Sequence, residues 1–117
     1  MLTRAPEFPF YSADSTSASV AYWDVHDKHF AKVGEAQGLK VLTVWVHGPG
    51  QFFTTSRKIE KIDDFKGLKI RTANRGGGVF LRGVGATPVG SPVTEIQTML
   101  TKGVIDGVLL PYEIMPA

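Results

Sequence analysis

Residues 59–72 read Ile59-Glu60-Lys61-Ile62-Asp63-Asp64-Phe65-Lys66-Gly67-Leu68-Lys69-Ile70-Arg71-Thr72. Two elements meet here with almost no linker. Ile62 to Gly67 has the pattern of a single helical turn: acids at its start suit the positive end of the helix dipole, and a glycine closes it. Leu68 to Thr72 follows directly as a short strand. The pattern continues downstream. Gly76-Gly77-Gly78 leads into a short helix over residues 79–84, closed by Gly85, and Thr87-Pro88-Val89 is a brief extended piece. Ser91-Pro92 reads as a helix start, a cap followed by proline at the first helical position. Val93, Ile96, Leu100 and Val104 make that helix's apolar stripe, Gly103 its stop, and residues 108–110 a last strand.

Upstream, Phe8, Phe10 and Tyr11 fall in a proline-containing stretch read as an ordered loop over residues 5–14. A helix is expected to start at Ser15 or Ser17, either of which can cap it. Val20, Trp23, Phe30 and Val33 recur at helical spacing, and Gly38 is the expected end. Residues 39–46 are short, β-branched and almost continuously apolar, which predicts a buried strand. Gly48-Pro49-Gly50 stops that run and marks the boundary or hinge, and residues 51–55 read as another strand. Strand and helix alternate, so the expected class is α/β with a parallel sheet.

The chain has 117 residues, 13 basic and 11 acidic side chains and a net charge of +2. The small basic excess is spread out, and its densest stretch, residues 57–61, is interrupted by Glu60. That pattern gives no electrostatic footprint for nucleic acid or an anionic membrane. Cysteine is absent, which excludes a disulfide framework and thiolate metal ligation. No apolar run approaches the roughly 20 residues that a membrane helix needs. The stretch after Met1 lacks the apolar core of a signal peptide, so any export signal is expected outside this chain.

Chemically suggestive residues are few. His26 and His29 stand three apart beside Asp24 and Asp27. They could share a metal ion, and a small metal-assisted α/β enzyme is the alternative reading they support. A real site needs a third ligand and an ordering shell around it, and a solvated helix face is the simpler account. Gly76-x-Gly78 fails the dinucleotide fingerprint because Leu81 stands where the third glycine belongs. No phosphate-binding loop and no nucleophile elbow occur, so neither a cofactor nor catalysis is expected.

Arg71 is different. It lies near the end of a predicted strand, and open α/β sheets bind ligands beyond the carboxyl ends of their strands. A guanidinium there matches a carboxylate in two hydrogen bonds. The glycines after it, Gly77 among them, would leave helix N-terminal amides open to the same anion. A structural ion pair with Asp106 is the other reading, and the residues alone leave both open.

Residues 59–71 resemble the pattern of the TRAP (tripartite ATP-independent periplasmic) solute-binding proteins, the DctP-like family. There a short helix ends in Lys-Gly-Leu-Lys and a strand delivers an arginine. The resemblance continues through Gly85-Ala86-Thr87-Pro88-Val89, Glu95-Ile96, Met99-Leu100 and Gly103-Val104-Ile105-Asp106-Gly107. Phe8-Pro9-Phe10 and Trp45-x-His47-Gly48-Pro49-Gly50 also look familial.

The resemblance implies a two-lobed periplasmic clamp that closes on a small organic anion and delivers it to membrane permease subunits. Residues 1–48 would belong to the first lobe and residues 49–117 to the second. The family's chain is much longer. The expectation is therefore a central section, incomplete at both ends, with Met1 not the receptor's own start.

It also implies that Arg71 pairs with the ligand carboxylate, with Gln51, Gly77, Val93, Leu110 and Tyr112 around it. Gln51 stands where many members carry a second arginine, Val93 where some carry an aromatic residue, and Leu110 where some carry asparagine. Ala73 replaces a frequent proline. These departures keep the carboxylate grip and remove polar partners. They favour a monocarboxylate with an apolar or aromatic body over sugar acids and dicarboxylates.

Overall fold

The computed structural model describes residues 2–7, 12, 14–33 and 36–114. The chain divides into two compact units, Met1–Pro49 and Gly50–Ala117.

In the first unit a 3₁₀ turn, Leu2–Glu7, precedes helix α1, Ser15–Val25. The cap of α1 is Asp14, not Ser15 or Ser17. Its carboxylate oxygens accept from the amides of Thr16 (3.3 Å) and Ser17 (2.7 Å). A carboxylate at that position also complements the dipole, which a serine hydroxyl does not. The helix does not run uniformly to Gly38. After Val25 it widens into one π turn, His26–Phe30, with the Ala31 amide bonding back to the His26 carbonyl at 2.8 Å. The expected loop aromatics Phe8, Phe10 and Tyr11 lie outside the described residues.

The buried strand expected over residues 39–46 is not found. Nothing among the described residues pairs with this stretch as a strand, and Leu39, Leu42 and Trp45 are 78%, 78% and 68% exposed. The Ser19 hydroxyl ties its far end, accepting from the Val46 amide at 2.9 Å. β-branched residues favour extended backbone, but a strand needs a second backbone to complete its ladder.

The second unit is a four-stranded sheet: β1 (Gln51–Thr54), β2 (Lys69–Thr72), β3 (Thr87–Gly90) and β4 (Gly107–Leu110), in spatial order β1-β4-β2-β3. β2 pairs parallel with β3 and β4, as expected. β1 runs antiparallel to β4, so the sheet is mixed and not wholly parallel. Alternate side chains point to opposite faces. On one face Ile70 packs with Phe65, Leu68, Leu81 and Ala86, supported by Phe52, Phe80 and Leu109. Phe52 and Phe65 meet edge to face at 4.9 Å. The other face gathers Ile105, Val108 and Leu110 with Phe53, Val89, Ile96, Met99 and Leu100.

Helix α2, Arg75–Gly83, covers the first face, and the glycines expected to precede it lie inside it. Asn74 caps it, with Oδ1 accepting from the Gly77 amide at 2.7 Å. Interior glycine costs about 1 kcal/mol against alanine. The offset here is close approach. A Cβ on Gly77 would fall on Thr72 Oγ1 and within 3.1 Å of Leu109 Cδ2. On the second face a 3₁₀ turn, Val93–Glu95, runs into helix α3, Ile96–Thr101. Ser91 does not cap it. Its neighbour Pro92 holds the cap position without a side-chain hydrogen bond.

The turn at Ile62–Phe65 forms as read. Asp64 Oδ2 accepts from the amides of Glu60 and Lys61, both at 3.0 Å, and those bonds hold its carboxyl below the usual aspartate range.

Two stability predictions follow from this packing. A Cβ on Gly107 would meet the Phe53 carbonyl oxygen at 2.6 Å, and a backbone oxygen in a ladder cannot step aside. Gly107→Ala should therefore cost about 1–3 kcal/mol, as overpacking does. Gly78→Ala meets nothing closer than 3.8 Å. It should gain about 0.5–1 kcal/mol from helix propensity. Urea midpoints of the second unit's unfolding check the pair, and equal midpoints contradict the clearance argument. Separately, the chain should bind a hydrophobic dye through Leu39, Leu42 and Trp45, since contiguous apolar exposure signals an uncovered face. Leu39→Ser with Leu42→Ser should remove most of that fluorescence.

Candidate functional site

The sheet brings several of the singled-out residues to one edge. β2, β3 and β4 run parallel and end at Thr72, Gly90 and Leu110. The reversed β1 starts at that edge with Gln51, whose register partner is Leu110. This is the carboxyl edge, where open sheets bind ligands. Across the face carrying α3, one row reads Phe53, Val108, Arg71, Val89. Arg71 is the charged member of an otherwise apolar row.

Arg71 is 2% exposed. Its Nε and Nη2 both donate to the Ser91 carbonyl, at 2.9 and 2.6 Å. Among the described residues Nη1 has no hydrogen-bond partner, and neither has the buried Ser91 Oγ. Burial pushes the Arg71 pKa below the ordinary arginine value. The group still stays charged at neutral pH, because arginine does not deprotonate in proteins. A buried cation with only a carbonyl for company is costly, several kcal/mol after relaxation. The carbonyl fixes the guanidinium along its Nε–Nη2 edge, and Nη1 stays buried without a partner among the described residues.

The Asp106 reading fails on position. Asp106 precedes β4, at the opposite edge, where its Oδ2 accepts from the Lys69 amide at 2.8 Å. Among the described residues it makes no ion pair with Arg71.

The other singled-out residues separate. Gln51 is half-buried, and Leu110 is buried in the α3-side cluster. Tyr112 is 69% exposed, its ring edge-on to Phe53 at 5.3 Å. Val93 is exposed in the turn before α3. Gly77 lies under the other face, against Thr72 and Leu109, and its amide is already taken by Asn74. The first turn of α2 and the Arg71 guanidinium therefore lie on opposite faces of the sheet. Ser91 was missed as a partner of Arg71. Its contribution begins with a backbone carbonyl, which has no side-chain signature, and only its place after the strand beside β2 could have pointed to it.

The histidines stay in the first unit. His26 is buried and stacked on Trp23 at 5.8 Å, while His29 is exposed. Among the described residues no group of three His, Cys, Asp or Glu side chains is placed to hold a metal ion. An open cleft of about 470 Å³ beside them is lined by Trp23, His26, Asp27, Phe30, Lys40 and Val41. No described helix is long and apolar enough to cross a membrane.

Residues 3–117 match the family described as bacterial extracellular solute-binding protein, family 7. Solved structures agree. A TRAP periplasmic solute-binding protein from Bordetella bronchiseptica, with bound (R)- and (S)-mandelate, is 40% identical. It aligns at a TM-score of 0.87, covering 97% of this chain and 36% of its own. A TRAP solute-binding protein from Rhodoferax ferrireducens, in complex with copurified benzoate, is 37% identical at a TM-score of 0.88, covering 95% and 34%. A third, from an unidentified microbe of a marine metagenome, is specific for aromatic acid ligands and was co-crystallised with 3-hydroxybenzoate. It is 38% identical at a TM-score of 0.85, covering 93% and 33%. The chain spans about a third of the length of these structures and of the first curated relatives it matches. The strand-borne arginine, the mixed α/β sheet and these matches converge: the chain belongs to family 7 of the bacterial extracellular solute-binding proteins, the DctP-like receptors of TRAP transporters.

Proposed function

We propose that this chain supplies the carboxylate grip of an extracytoplasmic receptor for an aromatic monocarboxylate, which the receptor passes to TRAP permease subunits. The observation that carries this reading is Arg71, buried at the carboxyl edge with Nη1 unpartnered among the described residues. A buried guanidinium left short of partners is a ready receptor for a planar anion. Its neighbours in the row are Val89 and Val108, with Phe53 beyond, so the surroundings favour an apolar body on the acid. The ligands of the three similar structures are of the same kind. In this reading residues 1–48 and 49–117 belong to different lobes of the receptor, and it works in the periplasm.

Gln51, Leu110 and Tyr112 shape the ligand's apolar surroundings at that edge, with Val93 at the rim. Gly77 acts indirectly, by letting α2 pack close beneath β2. Closure of two lobes would bury the charge pair further and strengthen it, a common hinge transition. Members of this family are transport components, and no observation favours the metal-assisted enzyme.

The test uses residues 3–117 grafted into the Bordetella bronchiseptica receptor in place of the segment they match. Calorimetry should show benzoate binding and no comparable affinity for methyl benzoate. Truncating one partner of a buried charge pair costs about 2–5 kcal/mol. Arg71→Ala should therefore weaken benzoate binding by roughly 30-fold to several-thousand-fold, at about tenfold per 1.4 kcal/mol. Arg71→Lys should also bind poorly, because an ammonium lacks the planar fork. Equal affinity for acid and ester, or an Arg71→Ala variant that binds like the unmodified graft, overturns the reading.

A further inference from the structure

Two buried polar atoms lack a partner among the described residues, and they belong to two residues already in contact: Arg71 Nη1 and Ser91 Oγ. Native interiors leave few such groups unpaired, and each asks for an explanation. A guanidinium only donates, whereas a serine hydroxyl donates one hydrogen and accepts at two lone pairs. Whatever Nη1 binds must accept. The hydroxyl proton needs an acceptor as well, and the Ser91 carbonyl is already engaged by Nε and Nη2. A group with two acceptor atoms on one carbon meets both needs together, and a carboxylate is that group.

We propose that Ser91 is a second ligand-binding residue. Its Oγ–H donates to one carboxylate oxygen while Arg71 Nη1 donates to the other. This rests on the carboxylate-receptor reading above and adds to it a residue that acts twice. The Ser91 carbonyl fixes the guanidinium from the Nε side, so the cation cannot swing to follow a badly placed ligand. The hydroxyl then supplies the second donor of the grip, beside Nη1.

Pro92 makes the arrangement firmer. Its ring holds φ at −60° and restricts the preceding residue to extended backbone, which narrows the directions the Ser91 carbonyl and side chain can take. The site is therefore built for a charged carboxylate on an otherwise apolar molecule. It offers two donors of different geometry and, apart from the hydroxyl's lone pairs, little to a neutral polar group.

The same graft tests this, with benzoate as the probe. Hydrogen bonds to charged groups contribute about 1.5–3 kcal/mol. Ser91→Ala should therefore weaken benzoate binding by about tenfold to a hundredfold. Ser91→Thr, which keeps the hydroxyl, should retain most of the affinity. Arg71→Lys is measured alongside. If the graft binds no benzoate, or Arg71→Lys binds like the unmodified graft, the carboxylate-receptor reading itself falls, and this inference with it. If Arg71→Lys binds poorly but Ser91→Ala binds like the unmodified graft, only the role of Ser91 is overturned. An equal loss in Ser91→Ala and Ser91→Thr overturns it too, because the hydroxyl is then not the group that matters. A crystal structure of the unmodified graft with benzoate gives a readout independent of any variant's folding. A carboxylate oxygen about 2.5–3.0 Å from Ser91 Oγ supports the proposal. A hydroxyl bonded only to water or protein overturns it.

Discussion

A guanidinium inside a protein must be surrounded by acceptors or be costly, and the second unit is organised around one that is only partly surrounded. Arg71 sits on β2, an interior strand of the sheet, with β4 on one side and β3 on the other. That position removes water from the stem and head of the side chain. The chain returns one acceptor, the Ser91 carbonyl, by continuing β3 past its last paired residue. The remaining structure serves this placement. α3 and its apolar residues close the face, and α2 packs the opposite face tightly enough to hold β2 in line. Filling the sheet interior with leucine in place of arginine would make a more comfortable core. A buried cation is better evidence of use than of stability.

Much of the second unit was legible in the sequence because its signals are local. The turn at residues 62–65, the left-handed glycines Gly67, Gly85 and Gly103, and the short strand segments at residues 69–72 and 107–110 each act within a few residues. The direction of β1 was not legible. Nothing within Gln51–Thr54 states whether it runs with or against β4, because that depends on the path of the chain between distant elements. Gly77 was readable as glycine but not as clearance, since the obstruction comes from Thr72 and from Leu109, more than thirty residues away. The site was half legible: the arginine carries its chemistry in its name, while the carbonyl that positions it carries none.

The first unit shows the reverse case, in which an apolar, β-branched run did not become the buried strand expected of it. Residues 39–46 have strand composition, but Leu39, Leu42 and Trp45 face solvent. Apolar composition reports what a segment needs; it does not supply the partner. The similar structures are about three times as long as this chain and align with nearly all of it. His26, by contrast, is buried within the described residues and stacked on Trp23, so its helix face is not simply a solvated one.

Gly77 and Gly107 differ in what blocks them, and the difference bears on how related chains can diverge. At Gly77 the obstacles are side chains, Thr72 Oγ1, Leu109 Cδ2 and Asn74 Oδ1. Side chains can be exchanged, so a larger residue at 77 becomes admissible once 72, 109 and the cap at 74 give way, and the four positions form an epistatic set. At Gly107 the nearest atom is the Phe53 backbone oxygen, which every amino acid brings with it. No substitution elsewhere can remove that atom. Drift at position 77 is therefore conditional on its neighbours, while position 107 is closed to drift for as long as β1 lies antiparallel beside β4.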